Sequence, residues 1–212
     1  MIFQDKIIQG AGELGVTLST EMAESFQVYY KELIKWNAKI NLTAITSEGD
    51  VLVRHFLDSL TPLPKLYNCE SFLDLGAGGG FPGIPLKIAK PDLKVVLVDS
   101  VDKKVKFMNH IIRTLGLEGI RAVHGRAEDE GLIKELGLFD CVISRAFTSS
   151  KEFLNYAEPY MKPDGSSVTL KTPSAELDKE LSEIPKDWGI EPHTVKLPFS
   201  DRTTQLCIFF KI

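Results

Sequence analysis

The chain has 212 residues, a net charge of −4, 43% hydrophobic and 25% charged residues, which suits one globular domain with its own core, with or without an appendage. No apolar run approaches the roughly 20 residues of a membrane span, and the opening MIFQDKIIQGAGELG lacks the apolar stretch of a secretory leader, so a cytoplasmic location is expected. Cys69, Cys141 and Cys207 lie far apart and the four histidines have no metal-ligand spacing, so buried free thiols and no metal are expected.

Residues 1–65 read as a helical extension. In EMAESFQVYYKELIKW, Met22, Phe26, Tyr29, Leu33 and Trp36 recur at steps of four and three, which lines one helical face. Ser19 and Thr20 precede it as N-cap candidates. Polar NAKINLTAITSEGD interrupts the pattern, and helical spacing resumes in VLVRHFLDSL until Pro62 and Pro64. Over residues 66–212 the texture changes: SFLDL, IPLKIAK, KVVLVDS, KVKFMNHIIRTLGL, IRAVHG, FDCVISRAF, FLNYAEPYM, SSVTLKT, AELDKELSEI and QLCIFFKI follow one another. Such alternation predicts an α/β fold, a parallel sheet with helices on both faces, and ligands bound at the carboxyl ends of its strands.

Between SFLDL and the helix opening at FPGIPLKIAK lies a glycine turn, DLGAGGGFPG. Missing side chains let backbone N–H groups and a helix N-terminus face a ligand. Gly78, Gly80 and Gly83 fit the dinucleotide spacing, whereas Asp74, Gly76, Gly78 and Gly80 fit the D-x-G-x-G-x-G loop of enzymes that use S-adenosylmethionine (SAM). KVVLVDS ends in Asp99, an acid placed to accept hydrogen bonds from both ribose hydroxyls of a nucleoside, which both cofactors contain. Asp74 favours SAM, because a carboxylate suits an ammonium and sulfonium better than a pyrophosphate. After IRAVHG, Ala127 and Glu128 are candidates for the edge of the adenine, although a helix-start acid reads the same way.

FDCVISRAF lies where the transferred group would sit. It holds neither an N/D-P-P-Y/F motif for an exocyclic amine nor a Pro-Cys nucleophile, and Cys141 alternates into the strand core. Arg145 follows, a residue that clamps carboxylate or phosphate rather than acting as a base. Phe147 is a candidate for stacking on a base or for packing. A site without an evident base suits guanine N7, whose lone pair carries no proton; positioning alone is worth ~7–11 kcal/mol in favourable cases.

The ordered set KWNAKINLTAI, VRHFLDSL, DLGAGGGFPGIPLKI, LVDSVDKKVKFM, GRAED and ISRAF resembles the RsmG (GidB) family across nearly the whole chain. The resemblance implies a Rossmann-like SAM-dependent methyltransferase fold, with a mostly parallel seven-stranded sheet and an N-terminal helical extension. It implies methylation of guanine N7 in the decoding-region loop of bacterial 16S rRNA, free or in the small ribosomal subunit, by direct in-line transfer. Carried over by motif, Gly76 and Phe81 contact the cofactor, with Ala127 and Glu128 at the adenine and Arg145 beside the methionine end or the substrate. Arg126 and Lys171 face the cleft as positioning groups alongside Arg145, and Asn41, Arg54 and His55 border it on the substrate side. The chain departs from the family pattern at GAGGG and at LKTPS.

Charge is uneven: residues 87–126 carry nine Lys and Arg against four acids, and residues 173–201 three lysines against seven acids. The helix from Val101 is expected to bury Val101, Val105, Met108, Ile112 and Leu115 and to turn Lys103, Lys104, Lys106 and Arg113 outward, either toward RNA phosphates or simply toward solvent. Nothing in the sequence demands an oligomer, so a monomer is expected. The other classes that fit the residues are a small-molecule or protein methyltransferase, a nicotinamide-dependent oxidoreductase and a non-catalytic nucleotide sensor.

Overall fold

The computed structural model describes residues 2–66, 68–145 and 149–212. Two helices open the chain, α1 (Phe3–Glu13) and α2 (Thr20–Ile40). The Ser19 hydroxyl accepts from the Met22 N–H at 3.2 Å, satisfying one orphan donor of the first turn. The predicted stripe is the packed face: Phe26, Tyr29 and Leu33 are buried with Ala23, while Met22 and Trp36 close its margins. Asn41 ends α2 in the left-handed region at φ 50°. The next helix starts as α3 (Glu48–Val51), widens into π-helical turns over Leu52–Leu57 and closes as α4 (Asp58–Leu60). Every residue from Val51 to Leu60 is buried except Arg54, which is half-buried. This helix is therefore enclosed on all sides rather than laid on a surface.

Seven strands follow: β1 (Ser71–Leu75), β2 (Lys94–Asp99), β3 (Ile120–His124), β4 (Phe139–Ser144), β5 (Met161–Lys171), β6 (Trp188–Lys196) and β7 (Thr203–Lys211). Helices α5 (Gly83–Ala89), α6 (Asp102–Thr114), α7 (Glu130–Leu136), α8 (Ser150–Ala157) and α9 (Ala175–Ser182) connect them. The spatial order is β3-β2-β1-β4-β5-β7-β6, with β7 alone running antiparallel to its neighbours. Strand order reverses direction between β1 and β4, which opens a crevice at their carboxyl ends.

Alternate strand residues serve two cores. Phe72, Leu97, Cys141 and Ile143 face one continuous cluster that includes Phe26, Tyr29 and Phe56 of the N-terminal helices. Leu73, Leu75, Val142 and Phe209 face the other, built with Leu132, Phe153 and Leu154. All three cysteines are buried free thiols.

Two expectations need correction. Strand β6 falls in the acidic segment, where the runs of apolar residues named no strand. It is an edge strand paired only with β7, so it tolerates Glu191 and Pro192, which a central strand would exclude. Helix α6 buries Phe107 and Ile111 besides Val105, Met108 and Ile112, a wider stripe than the one expected, because it lies between the sheet and α2.

Much of the glycine turn answers to the chain's own packing. A β-carbon at Gly83 would collide with Leu97 and come within 3.0 Å of Asp74 Oδ2. Replacing Gly83 with alanine should therefore cost about 1–3 kcal/mol by overpacking, lowering the thermal midpoint by roughly 2–12 °C for a chain of this length. A midpoint within a degree of wild type would show that α5 slides freely.

Candidate active site

Two clefts flank the reversal of strand order. The first, of about 460 Å³, is lined by Gly76 after β1, Asp99 to Val101 and Lys104 around the end of β2, residues 125–128 after β3, and Glu152 and Tyr156 from α8. Its volume is in the usual range for small-molecule sites. Asp99 is its buried floor. Oδ2 accepts from the Gly78 N–H at 2.8 Å and Oδ1 from the Val101 N–H at 2.9 Å. An ionised carboxylate has about four acceptor positions, so Asp99 keeps capacity for two hydroxyls of a nucleoside sugar. Lys104 leans toward it, with Nζ 3.7 Å from Oδ2, rather than pointing outward as the sequence suggested.

The second cleft, of about 670 Å³, lies beyond β4. Arg54, Asp58, Arg145, Lys171 and Arg202 give it charged walls around His55, with Glu176, Glu180 and Asp201 among its acids. Arg145, directly after β4, is its hub. One guanidinium nitrogen donates to the Arg54 carbonyl at 3.1 Å, and another to His55 Nδ1 at 3.0 Å. Asp58 Oδ2 lies 3.7 Å from Arg145 Nη1, and Asp58 Oδ1 accepts from the Thr204 hydroxyl. Below sits a stack: the Arg145 guanidinium is 4.9 Å from the Phe81 ring centre. Phe81 lies between His55 at 4.6 Å and Tyr29 at 5.3 Å, nearly parallel to both. The Tyr29 hydroxyl donates to the Gly79 carbonyl, fastening the glycine turn to α2.

These contacts fix the state of His55. Arginine only donates, so Nδ1 must be the unprotonated nitrogen, and Nε2 carries the proton that it gives to Thr43 Oγ1 at 2.8 Å. Burial, and then the Arg145 and Arg54 charges, push its pKa down to about 3. The unfolded chain takes up a proton near pH 6.5, whereas the folded protein resists it until about pH 3. Stability supplied here is complete above pH 6.5 and lost as pH falls through that window. In urea titrations from pH 7 to pH 4, His55→Gln should flatten the acid-side loss by an amount on the order of a few kcal/mol. An unaltered slope would show that another group governs it.

Asp74 behaves differently. Its carboxyl is fully buried under the glycine turn, where Oδ2 accepts from the Gly83 N–H at 2.8 Å, and Oδ1 has no partner within the described residues. Burial raises its pKa to about 7, opposed by the Gly83 hydrogen bond and Arg145.

Of the residues selected from sequence, the first cleft gathers Gly76, Asp99, Arg126, Ala127 and Glu128, and the second Arg54, His55, Arg145 and Lys171. Asp74 and Phe81 lie buried behind the cleft surfaces, against Gly83 and in the aromatic stack, while half-buried Gly78 donates its N–H to Asp99. Asn41 lines neither cleft; it is an exposed helix terminus. Phe147 lies outside the described residues. Glu128 precedes the helix start, and Asp129 is the acid that caps α7. The basic run is also dispersed: Lys87 is buried, donating to the Leu93 carbonyl, Lys106 pairs with Asp102 at 2.6 Å and Arg121 with Glu135 at 3.4 Å. Among the described residues, no group of three His, Cys, Asp or Glu side chains assembles as a metal site, and no helix is long and apolar enough to cross a membrane. Asp58, Thr43, Thr204, Arg202 and Tyr156 were missed. Asp58 had a signal, an acid within the mostly apolar run of residues 51–60, where burial demands a partner.

This strand order, with a nucleoside-sized pocket on one side of its reversal and a charged cleft on the other, defines a Rossmann-like methyltransferase. Solved structures share the architecture. One is precorrin-6y C5,15-methyltransferase from Geobacter metallireducens (TM-score 0.57, 16% identity, 73% of this chain and 87% of that one). Another is a SAM-dependent methyltransferase from Aquifex aeolicus (TM-score 0.54, 19% identity, 72% and 89%). The family model for rRNA small subunit methyltransferase G, GidB, matches residues 22–203, and the chain belongs to that family. Ribosomal RNA small subunit methyltransferase G of Myxococcus xanthus is 40% identical over 99% of this chain and 97% of its own length. Its counterpart in Thermoanaerobacter sp. strain X514 is 42% identical over 98% and 90%.

Proposed function

We propose that the protein uses SAM to methylate N7 of one guanine in the decoding-region loop of 16S rRNA, acting in the cytoplasm as a monomer. When bound, the cofactor supplies an electrophilic methyl group. Asp99 holds the ribose, Ala127 and Glu128 edge the adenine, and Gly76 leaves its backbone open to the cofactor. The fit rests on the spare acceptor capacity of Asp99 in a pocket of about 460 Å³.

One observation carries the choice of N7: the second cleft's histidine is committed at both nitrogens, to Arg145 and Thr43, and Asp58 is held by Thr204 and Arg145. Neither is placed to take a proton, which favours an acceptor atom that carries none. Guanine N7 meets that requirement, and orientation then becomes the main source of rate. Arg145, Arg126 and Lys171 act by positioning; Lys171 is itself held by Glu180 at 2.6 Å. Arg54 and Arg145 give the cleft fixed positive charge for phosphate.

The test offers tritiated SAM to small ribosomal subunits from a strain lacking this gene. Label in 16S rRNA that yields strand scission after borohydride and aniline supports the reading. Label without scission moves the methyl to another atom, and no label in RNA rejects the substrate.

A further inference from the structure

We propose that a second groove, continuous with the substrate cleft, receives the single-stranded RNA next to the target guanine and stacks one of its unpaired bases on Phe199. The inference rests on the rRNA reading above and names how the neighbouring nucleotides are held.

The groove encloses about 520 Å³ between α1, α3 and the β6–β7 turn. Lys6, Glu48, Asp50, Phe199, Arg54 and Arg202 are among its walls, and Arg54 and Arg202 also line the substrate cleft. A strand crossing from the cleft to this groove meets two arginines that border both, which suits phosphate. Lys6 adds a third cation along the same course. Of the two acids, Asp50 is occupied by the Ser47 hydroxyl at 2.7 Å.

Phe199 is 48% exposed and sits at φ 60°, a region that aromatic residues rarely adopt. One part of its ring rests on α1: a β-carbon at Gly10 would lie 2.9 Å from Phe199 Cε2. The ring is thus backed by a helix and open to the groove, the arrangement of a stacking platform flanked by cations. Loop RNA presents unstacked bases to such platforms. A β-carbon at Gly10 would press first on Leu57 Cδ1, at 2.6 Å, and next on this ring.

The experiment measures methylation of small subunits lacking the modification, and direct binding of those subunits and of protein-free 16S rRNA. For Phe199→Ala, KM for subunits should rise about 5- to 100-fold, as for loss of one base–aromatic stack. The kcat at saturating subunits and the affinity for S-adenosylhomocysteine should stay at wild-type values. Phe199→Trp, which keeps an aromatic face, should leave KM near the wild-type value, whereas Phe199→Leu, apolar but without a ring, should not. Lys6→Gln should reduce the slope of log affinity against log salt by about 0.7, one single-strand phosphate contact. An unchanged KM in Phe199→Ala, with wild type methylating normally, overturns the groove and leaves the enzyme's function intact. Weaker binding to subunits with undiminished binding to protein-free rRNA makes the occupant a ribosomal protein and also overturns it. Wild-type protein that transfers no methyl to subunits refutes the parent reading instead.

Discussion

Asp99→Ala should raise the dissociation constant for S-adenosylhomocysteine at least about 100-fold, equivalent to roughly 2.7 kcal/mol. The carboxylate has two duties. It closes the turn by accepting from the Gly78 and Val101 N–H groups at 2.8 and 2.9 Å, and its remaining lone pairs face the cleft where a ribose would lie. Alanine leaves two backbone donors without a partner, each costing about 1–3 kcal/mol if it stays buried, and removes the sugar contacts as well. Asp99→Asn keeps one acceptor oxygen but turns an NH₂ group toward a backbone N–H, so its loss should be intermediate. Titration calorimetry of both variants checks the order. Affinity at the wild-type level in Asp99→Ala would mean that the adenosine binds elsewhere.

Arg145→Ala should cost about 3–5 kcal/mol of stability, because it strips Asp58 of its buried counter-charge. It also leaves the Arg54 carbonyl and His55 Nδ1 without their donor. Thermal unfolding should fall by roughly 6–20 °C. Arg145→Lys separates the charge from the geometry: an ammonium can face Asp58 but cannot span Arg54, His55 and the Phe81 face together. We expect it to recover part of the stability and little of kcat. Full activity in Arg145→Lys would reduce the arginine to a simple counter-charge. The double variant Asp58→Asn/Arg145→Lys shows whether the two act as a unit, through the non-additivity of their effects.

The elements that carry the first cleft were legible because their signals are local. SFLDL and KVVLVDS are short apolar runs with an acid next to last, and the Ser19 cap and the Met22-to-Trp36 stripe mark α2. Periodicity reports such features directly. Strand β6 was illegible because an edge strand pairs on one side only, and its Gly189, Glu191 and Pro192 carry a loop's composition. The spacing of the glycine turn pointed to a ligand, yet Gly83 is required by Leu97 and Asp74, and Asp74 by Gly83. Sequence cannot separate these demands, since a glycine that admits a ligand and one that admits a leucine look alike. The second cleft was visible only as isolated residues. Asp58 meets a hydroxyl on β7, 146 positions away, and no local pattern reports a contact of that separation. His55 was selected without its tautomer, which depends on Arg145 and Thr43 arriving from two other segments.

The phenol of Tyr29 holds a carbonyl fifty positions further along the chain, and this bears on any attempt to trim the molecule. A fragment starting at Leu66 would keep every strand and every glycine of the turn, yet bring Phe81 into water where Tyr29 and His55 now cover it. Its loop would be correct in composition and wrong in shape. Grafting the amino-terminal segment onto a different catalytic half would fail for the same reason, so the two parts can be exchanged only along with the aromatic seam between them.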